Sequence, residues 1–344
     1  MLYRFRQAIN RSWFGLWTKE VLGTPPLVIR DGELIIFSMI SHWDVMMYLI
    51  AIKTLYRQLG RGKIVVLNDG SLKNTDLSLI REHVRPREII HISDVRTGPC
   101  PSGACWERLL CIADLVPDAY VLQLDADSLV IKEMPEVEEY IRNKRSFALG
   151  QIFLGQEIYP MSYVSSEMRK KGTDYVEHVA EMNFDQLEGF EDMKYSKSSA
   201  CFAGFAKGSF DRTDVEDFSS RMESLLGKRW HEWGTEKVTS NFIVANTPGS
   251  AILPFPQYVS YYAKPEIDYE DSNYLHFTGT HRFKNGFYIR MARQAVRDLL
   301  YSHLENLYSH PASSGPHRVN KHFQDMPPQK SGAPNPPIDP GVRG

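Results

Sequence analysis

The segment Leu122-Gln123-Leu124-Asp125-Ala126-Asp127-Ser128-Leu129-Val130 joins a short apolar run to two aspartates separated by one residue. Side chains alternate along extended backbone, so Asp125 and Asp127 face the same way wherever strand geometry persists. Tyr120 to Leu124 reads as a buried strand, short and rich in β-formers. Two carboxylate oxygens at a strand end suit a hard cation such as Mg²⁺ or Mn²⁺. The plainer alternative is a turn in which aspartates cap backbone groups. Apolar residues on both sides, with Leu129-Val130-Ile131 following, favour the metal, because buried carboxylates need a partner.

Outward from this segment, strands and helices alternate. Glu33 to Ile40 reads as a buried strand, Asp44 to Leu59 as a helix stopped by Gly60, and Lys63 to Leu67 as a second strand closed by Asn68-Asp69-Gly70-Ser71. Thr75 to Val84 is a helix, Glu88 to Ile92 a short strand, and Glu107 to Leu115 a helix stopped by Pro117. Beyond the aspartates come a strand at Ser199 to Ala206, helices at Asp211 to Leu226 and Thr235 to Val244, and a strand at Tyr274 to Thr278. Gln151 to Lys197 has no clear period. The expected fold class is α/β, a Rossmann-like, mainly parallel sheet flanked by helices, with a smaller region on one side. In such sheets ligands bind outside the carboxyl ends of the strands, where Asp125 and Asp127 sit.

Bulk composition narrows the function less. The 344 residues carry 40 basic and 42 acidic side chains, a net charge of -2, so no global field points to nucleic acid. The four cysteines, Cys100, Cys105, Cys111 and Cys201, lack zinc-knuckle spacing, and their scarcity fits a reducing compartment. Residues 1–30 read as an N-terminal helical segment in which Phe5, Ile9, Trp13 and Leu16 fall at helical spacing among Arg4, Arg6 and Arg11. Packing onto the domain is expected; peripheral membrane contact is the other reading. No signal peptide or spanning helix is read, which gives a cytoplasmic expectation. Residues 31–310 form the expected main domain. Residues 311–344 gather Pro, Gly and Ser and read as a disordered tail.

Two further motifs carry chemistry. In Tyr274-Leu275-His276-Phe277-Thr278-Gly279-Thr280-His281-Arg282-Phe283-Lys284, the His276 imidazole could complete a metal site with Asp125 and Asp127. Gly279 would let backbone approach a diphosphate, and Arg282 or Lys284 would neutralise it. In Trp230-His231-Glu232-Trp233-Gly234-Thr235-Glu236-Lys237, Thr235 can cap the next helix with Glu236 in its first turn. The functional alternative makes Glu236 an acceptor-side carboxylate, with Trp230 or Trp233 stacking on a sugar.

In order and spacing these segments resemble the GT-A nucleotide-diphospho-sugar glycosyltransferases, most closely the glycogenin-like family 8 pattern, over Leu34 to Tyr288. The resemblance implies that Phe37-Ser38-Met39-Ile40 opens a uridine pocket, with Ser38 in it, and that Arg108 contacts the donor. It implies that Phe202-Ala203-Gly204 lines the donor-sugar site, with Gly204 matching the family's glycine. The family's Asp-Gln pair and downstream Asn become Glu236, Lys237 and Asn241, and its closing His-x-x-Gly-x-x-Lys becomes His276, Gly279 and Arg282. Phe202 stands where the family has asparagine, Lys237 where it has glutamine, and the Lys-Pro-Trp ending is absent. Those departures leave the sugar and the stereochemistry open.

The resulting expectation is a Mn²⁺- or Mg²⁺-dependent glycosyltransferase. It would move a sugar from a nucleotide-diphosphate donor, a UDP-sugar, to a hydroxyl of a glycan, lipid or protein. Asp125, Asp127 and His276 would hold the metal; Glu236 would be the base if the reaction inverts, whereas the family 8 resemblance favours retention, which needs no dedicated base. A nucleotidyltransferase is disfavoured because Ser38 to Val45 contains no glycine, lysine or arginine to hold a triphosphate. The non-enzymatic rival is an inactive GT-A-like scaffold or carbohydrate-binding protein.

Overall fold

In the computed structural model the described residues run from 2 to 309; the expected tail from 311 onward lies outside them. A first helix, α1 (Leu2–Trp17), leads through a 3₁₀ turn at Lys19–Gly23 and an extended stretch into β1 (Leu34–Ile40). Nearly every side chain of β1 is buried. Apolar runs without alternation suit a strand covered on both faces. The chain then turns into α2 (Val45–Leu59), whose last turn is closed by Gly60 in the left-handed region at φ 62°. β2 (Lys63–Asn68), α3 (Asn74–His83) and β3 (Glu88–His91) continue the alternation. After α4 (Trp106–Leu115), β4 (Tyr120–Leu124) returns to the centre of the sheet.

Past the aspartates the pattern changes. β5 (Ser128–Val130), α5 (Pro135–Arg142) and β6 (Phe147–Leu149) are short. Residues 151–197, which have no clear period in sequence, form a helical subregion: α6 (Met161–Arg169) and α7 (Val176–Met182) flanked by a two-stranded ribbon of β7 (Tyr159–Pro160) and β8 (Lys194–Tyr195). β9 (Ser199–Phe205), α8 (Arg212–Leu226) and α9 (Thr235–Asn246) follow. The described chain ends with β10 (Ala251–Ile252), β11 (Tyr258–Ser260), β12 (Tyr274–His276) and the long helix α10 (Phe287–Ser309).

The main sheet has seven strands in the order β10-β6-β9-β4-β1-β2-β3. All its pairs are parallel except those of β9, which runs antiparallel to both β4 and β6. One face packs on α2 with Phe14 of α1 and Tyr288 of α10, the other on α4, α8 and α9. The α/β, mainly parallel expectation therefore holds, with β9 as the reversed strand.

Two pairings position the site. β9 lies against β4 so that the Asp125 backbone N–H donates to the Cys201 carbonyl at 2.9 Å. The small sheet β11-β12-β5 pairs β12 antiparallel to β5, setting His276 opposite Ser128. The Phe277 N–H then donates to the Asp127 carbonyl at 2.8 Å. Residues about 150 positions apart in sequence are thus joined by backbone bonds, which fix position more tightly than side chains alone.

Candidate active site

A pocket of about 360 Å³ opens at the carboxyl ends of β1 and β4. Its lining includes Asp44, Arg108, Asp125, Asp127, Trp233, Glu236, Lys237, His276, Gly279 and Arg282. A larger pocket of about 720 Å³ lies by β3, but it holds none of the expected residues, and its Arg212 is paired with Asp114 at 2.5 Å. The chemistry is in the smaller one.

Asp125, Asp127 and His276 bring one ligand atom each to within 4.8 Å of one another. The His276 Nδ1 lies 3.1 Å from the Ser260 hydroxyl, and its Nε2 faces Asp127 Oδ1 at 3.4 Å. A ring nitrogen engaged by an outer hydroxyl leaves the other aimed inward, the usual arrangement of a ligating histidine. Burial disfavours a charged His276, but Cys201 and Asp127 beside it outweigh that and raise its pKa well above the ordinary value. Burial also works against ionised Asp127, yet Arg282 and His276 overcome it and hold the carboxyl well below the usual range. Arg282 donates from Nη2 to Asp127 Oδ2 and from Nε to the Phe277 carbonyl at 3.1 Å.

Arg108 projects from the first turn of α4, whose preceding residue, Cys105, takes a left-handed φ of 74°. Its guanidinium bridges two carboxylates: Nη1 donates to Asp125 Oδ1 at 2.9 Å, Nη2 to Glu236 Oε2 at 2.9 Å, and Nε to Glu236 Oε1 at 3.4 Å. A planar fork of this kind is what arginine offers and lysine does not. Trp106 Nε1 donates to Thr235 Oγ1 at 3.1 Å and ties α4 to α9. Burial raises the Asp125 pKa, aided by Asp127 and opposed by Arg108. Glu236 follows the same logic, burial raising it against Arg108.

Several expected residues serve elsewhere. Gly204 does not line the pocket; a side chain there would collide with Phe147 and Tyr120, so it is a packing glycine. Phe202 stacks on Tyr274 with centroids 4.1 Å apart. Ser199, Ala200 and Cys201 line the pocket instead, nearer the start of β9. Ser38 is buried in β1, while its neighbour Met39 reaches the pocket. Asn241 is buried and bonded to Ser198 and Tyr195, so it secures the entry to β9. Lys284 is exposed and outside the lining. Gly234, not Thr235, precedes α9, and the Thr235 hydroxyl donates to the Glu232 carbonyl at 3.2 Å.

Glu236 is 2% exposed, and each of its oxygens accepts from Arg108. Lys237 lines the pocket and pairs with Glu177 of α7. Of the two tryptophans, Trp230 is fully buried and bonded to Ser219, whereas Trp233 is 71% exposed at the pocket. Sequence reading did not find Asp44, Cys105, Gln151, Ser199 or Ser260. Each is a common polar or small residue whose role depends on a contact distant in sequence.

The seven-stranded sheet with one reversed strand and the small second sheet match the fold of solved GT-A glycosyltransferases. The chain is similar to the galactosyltransferase LgtC in complex with donor and acceptor sugar analogues, with a TM-score of 0.50 and 12% identity over 77% of this chain and 95% of that one. It is also similar to the apo form of the glycosyltransferase GlyE from Streptococcus pneumoniae, with a TM-score of 0.50 and 13% identity over 80% of this chain and 64% of that one. No protein-family model matches the sequence, and a search of curated proteins finds no match. Among the described residues no helix is long and apolar enough to cross a membrane.

Proposed function

We propose that the protein transfers a sugar from a nucleotide-diphosphate donor, a UDP-sugar, to a hydroxyl of a glycan, lipid or protein acceptor, with Mn²⁺ or Mg²⁺ as cofactor. The observation that carries this reading is the convergence of Asp125, Asp127 and His276 within 4.8 Å at the ligand edge of a GT-A sheet. Two carboxylates and an imidazole form a donor set that fits a hard divalent cation. When bound, such a cation supplies Lewis-acid stabilisation of the diphosphate leaving group.

The chain's own residues do the rest. Arg282, already against Asp127, places a fixed positive charge where charge develops on the leaving diphosphate. Gly279, with no side chain, lets phosphate oxygens approach the backbone. Arg108 hydrogen-bonds both Asp125 and Glu236 and so orients the ligand carboxylate. Met39 and Asp44 supply the wall at the end of β1. Trp233 offers an exposed ring on the acceptor side, suited to the apolar face of a sugar.

The test is to incubate the protein with UDP-hexoses and Mn²⁺ and follow UDP release, alone and with acceptor glycosides. Release should need Mn²⁺ and fall by more than about 100-fold in Asp127→Ala, beyond what outer-shell partners of a metal give. Release indifferent to metal and to Asp127 would remove the assignment.

A further inference from the structure

α1 carries an apolar stripe that the domain does not cover. Phe14 anchors the helix, fully buried and 4.4 Å in ring centroid from Tyr288 of α10. On the opposite side Ile9, Trp13, Leu16 and Trp17 recur at helical spacing and are 40%, 52%, 58% and 47% exposed. Two of these are tryptophans, whose rings combine an apolar body with a polar N–H.

Charge indicates what covers the stripe. The first 17 residues contain Arg4, Arg6 and Arg11 and no aspartate or glutamate. Arg293 of α10 lies over the Trp17 ring at 5.2 Å, so the neighbouring helix adds positive charge beside the stripe. A second copy of this face would meet like charge and be repelled. The chain's own tail, residues 311–344, carries Arg318, Lys321, Lys330 and Arg343 against Asp325 and Asp339, so it too is basic. A surface of negative charge over an apolar interior complements the helix on both counts.

We propose that α1 docks the protein onto an anionic lipid surface, lying in the interface with Ile9, Trp13, Leu16 and Trp17 inserted and the net positive charge of the segment drawn to the headgroup phosphates. The helix is also tied to the rim of the donor pocket, since Arg11 pairs at 3.8 Å with Asp44, one of the lining residues. Docking therefore holds that rim close to the lipid surface.

The experiment is cosedimentation of the full chain with vesicles of phosphatidylcholine alone or with a third phosphatidylglycerol, at low and high salt. Two variants, Leu16→Glu and Trp13→Ser/Trp17→Ser, are run beside it, with melting curves to confirm that each is folded. The wild type should bind the anionic vesicles, shift its tryptophan emission to the blue, and bind weakly in high salt. Either folded variant should lose at least about tenfold in partitioning. Wild type that stays in the supernatant with anionic vesicles overturns the proposal. So does binding that Leu16→Glu leaves unchanged. A dimer by sedimentation equilibrium that Leu16→Glu converts to monomer, without vesicle binding, would assign the face to a second copy instead.

Discussion

Replacing Arg108 with methionine isolates the electrostatic design of the pocket. The Arg108 side chain is 10% exposed and its guanidinium neutralises two carboxylates, Asp125 and the buried Glu236. Methionine preserves much of the apolar stem but removes the guanidinium that lies between the two acids. Breaking a buried pair in this way costs about 3–5 kcal/mol. With a melting-temperature shift of about 2–4 °C per kcal/mol for a chain approaching this size, the variant should melt about 6–20 °C lower at pH 7. The deficit should depend on pH, with a sign set by linkage. Without Arg108 both acids have folded pKa values above their unfolded ones, near 4, so the destabilisation is full at neutral pH. It shrinks as pH falls through the raised folded values toward 4, because protonation removes the repulsion. Adding Glu236→Gln to Arg108→Met should recover stability at pH 7, a coupling that a double-mutant cycle reads directly. Urea denaturation at pH 5 and pH 7.5 is the assay. A loss below about 1 kcal/mol, or one equal at both pH values, would refute the assignment of Arg108 as the shared counter-charge.

Other expectations follow from the same geometry. Trp233→Ala should change stability by less than about 0.5 kcal/mol, because the ring is exposed, but raise the acceptor KM while leaving donor hydrolysis unchanged; equal acceptor kinetics would remove it from the acceptor side. Glu236 is buried and ion-paired with Arg108, so NMR of the first-formed product should show retention at the anomeric carbon; inversion would make Glu236 the base. Lys53 is buried against Thr24 and Pro25, and burial pushes its pKa down to about 8. Its folded pKa is below the unfolded one, so its contribution to stability is full above the unfolded value, near 10.4, and lost as pH falls through about 8. Stability measured from pH 8 to 10.5 should therefore show a rising term that Lys53→Met abolishes; parallel curves would contradict it.

How far the sequence reveals the molecule depends on whether a signal is local. The central strands were legible because burial on both faces demands apolar runs, as in Leu34–Ile40 and Tyr120–Leu124. The stop at Gly60 was legible because a left-handed residue ends a helix there. Residues 151–197 were not, since their short helices and two-residue strands bury only a few side chains each. The reversal of β9 is a matter of pairing, which no strand's own composition encodes. At the site, His276 is far in sequence from Asp125 and Asp127, yet their ligand atoms lie within 4.8 Å of one another. Matching Phe202-Ala203-Gly204 by residue type missed the register, because a glycine required by Phe147 packing looks the same in sequence as one required by a ligand. Glu236 fitted a first-turn acid on α9 equally well, and only the position of Arg108 on α4 reveals its partner.

The most direct test of the central reading is calorimetric titration of UDP, GDP, CDP and ADP into the protein, with Mn²⁺ or with chelator, for the wild type and Asp127→Ala. Mn²⁺-dependent binding of UDP, lost with chelator and in the variant, is the predicted result. Absence of nucleotide binding under every condition would contradict it.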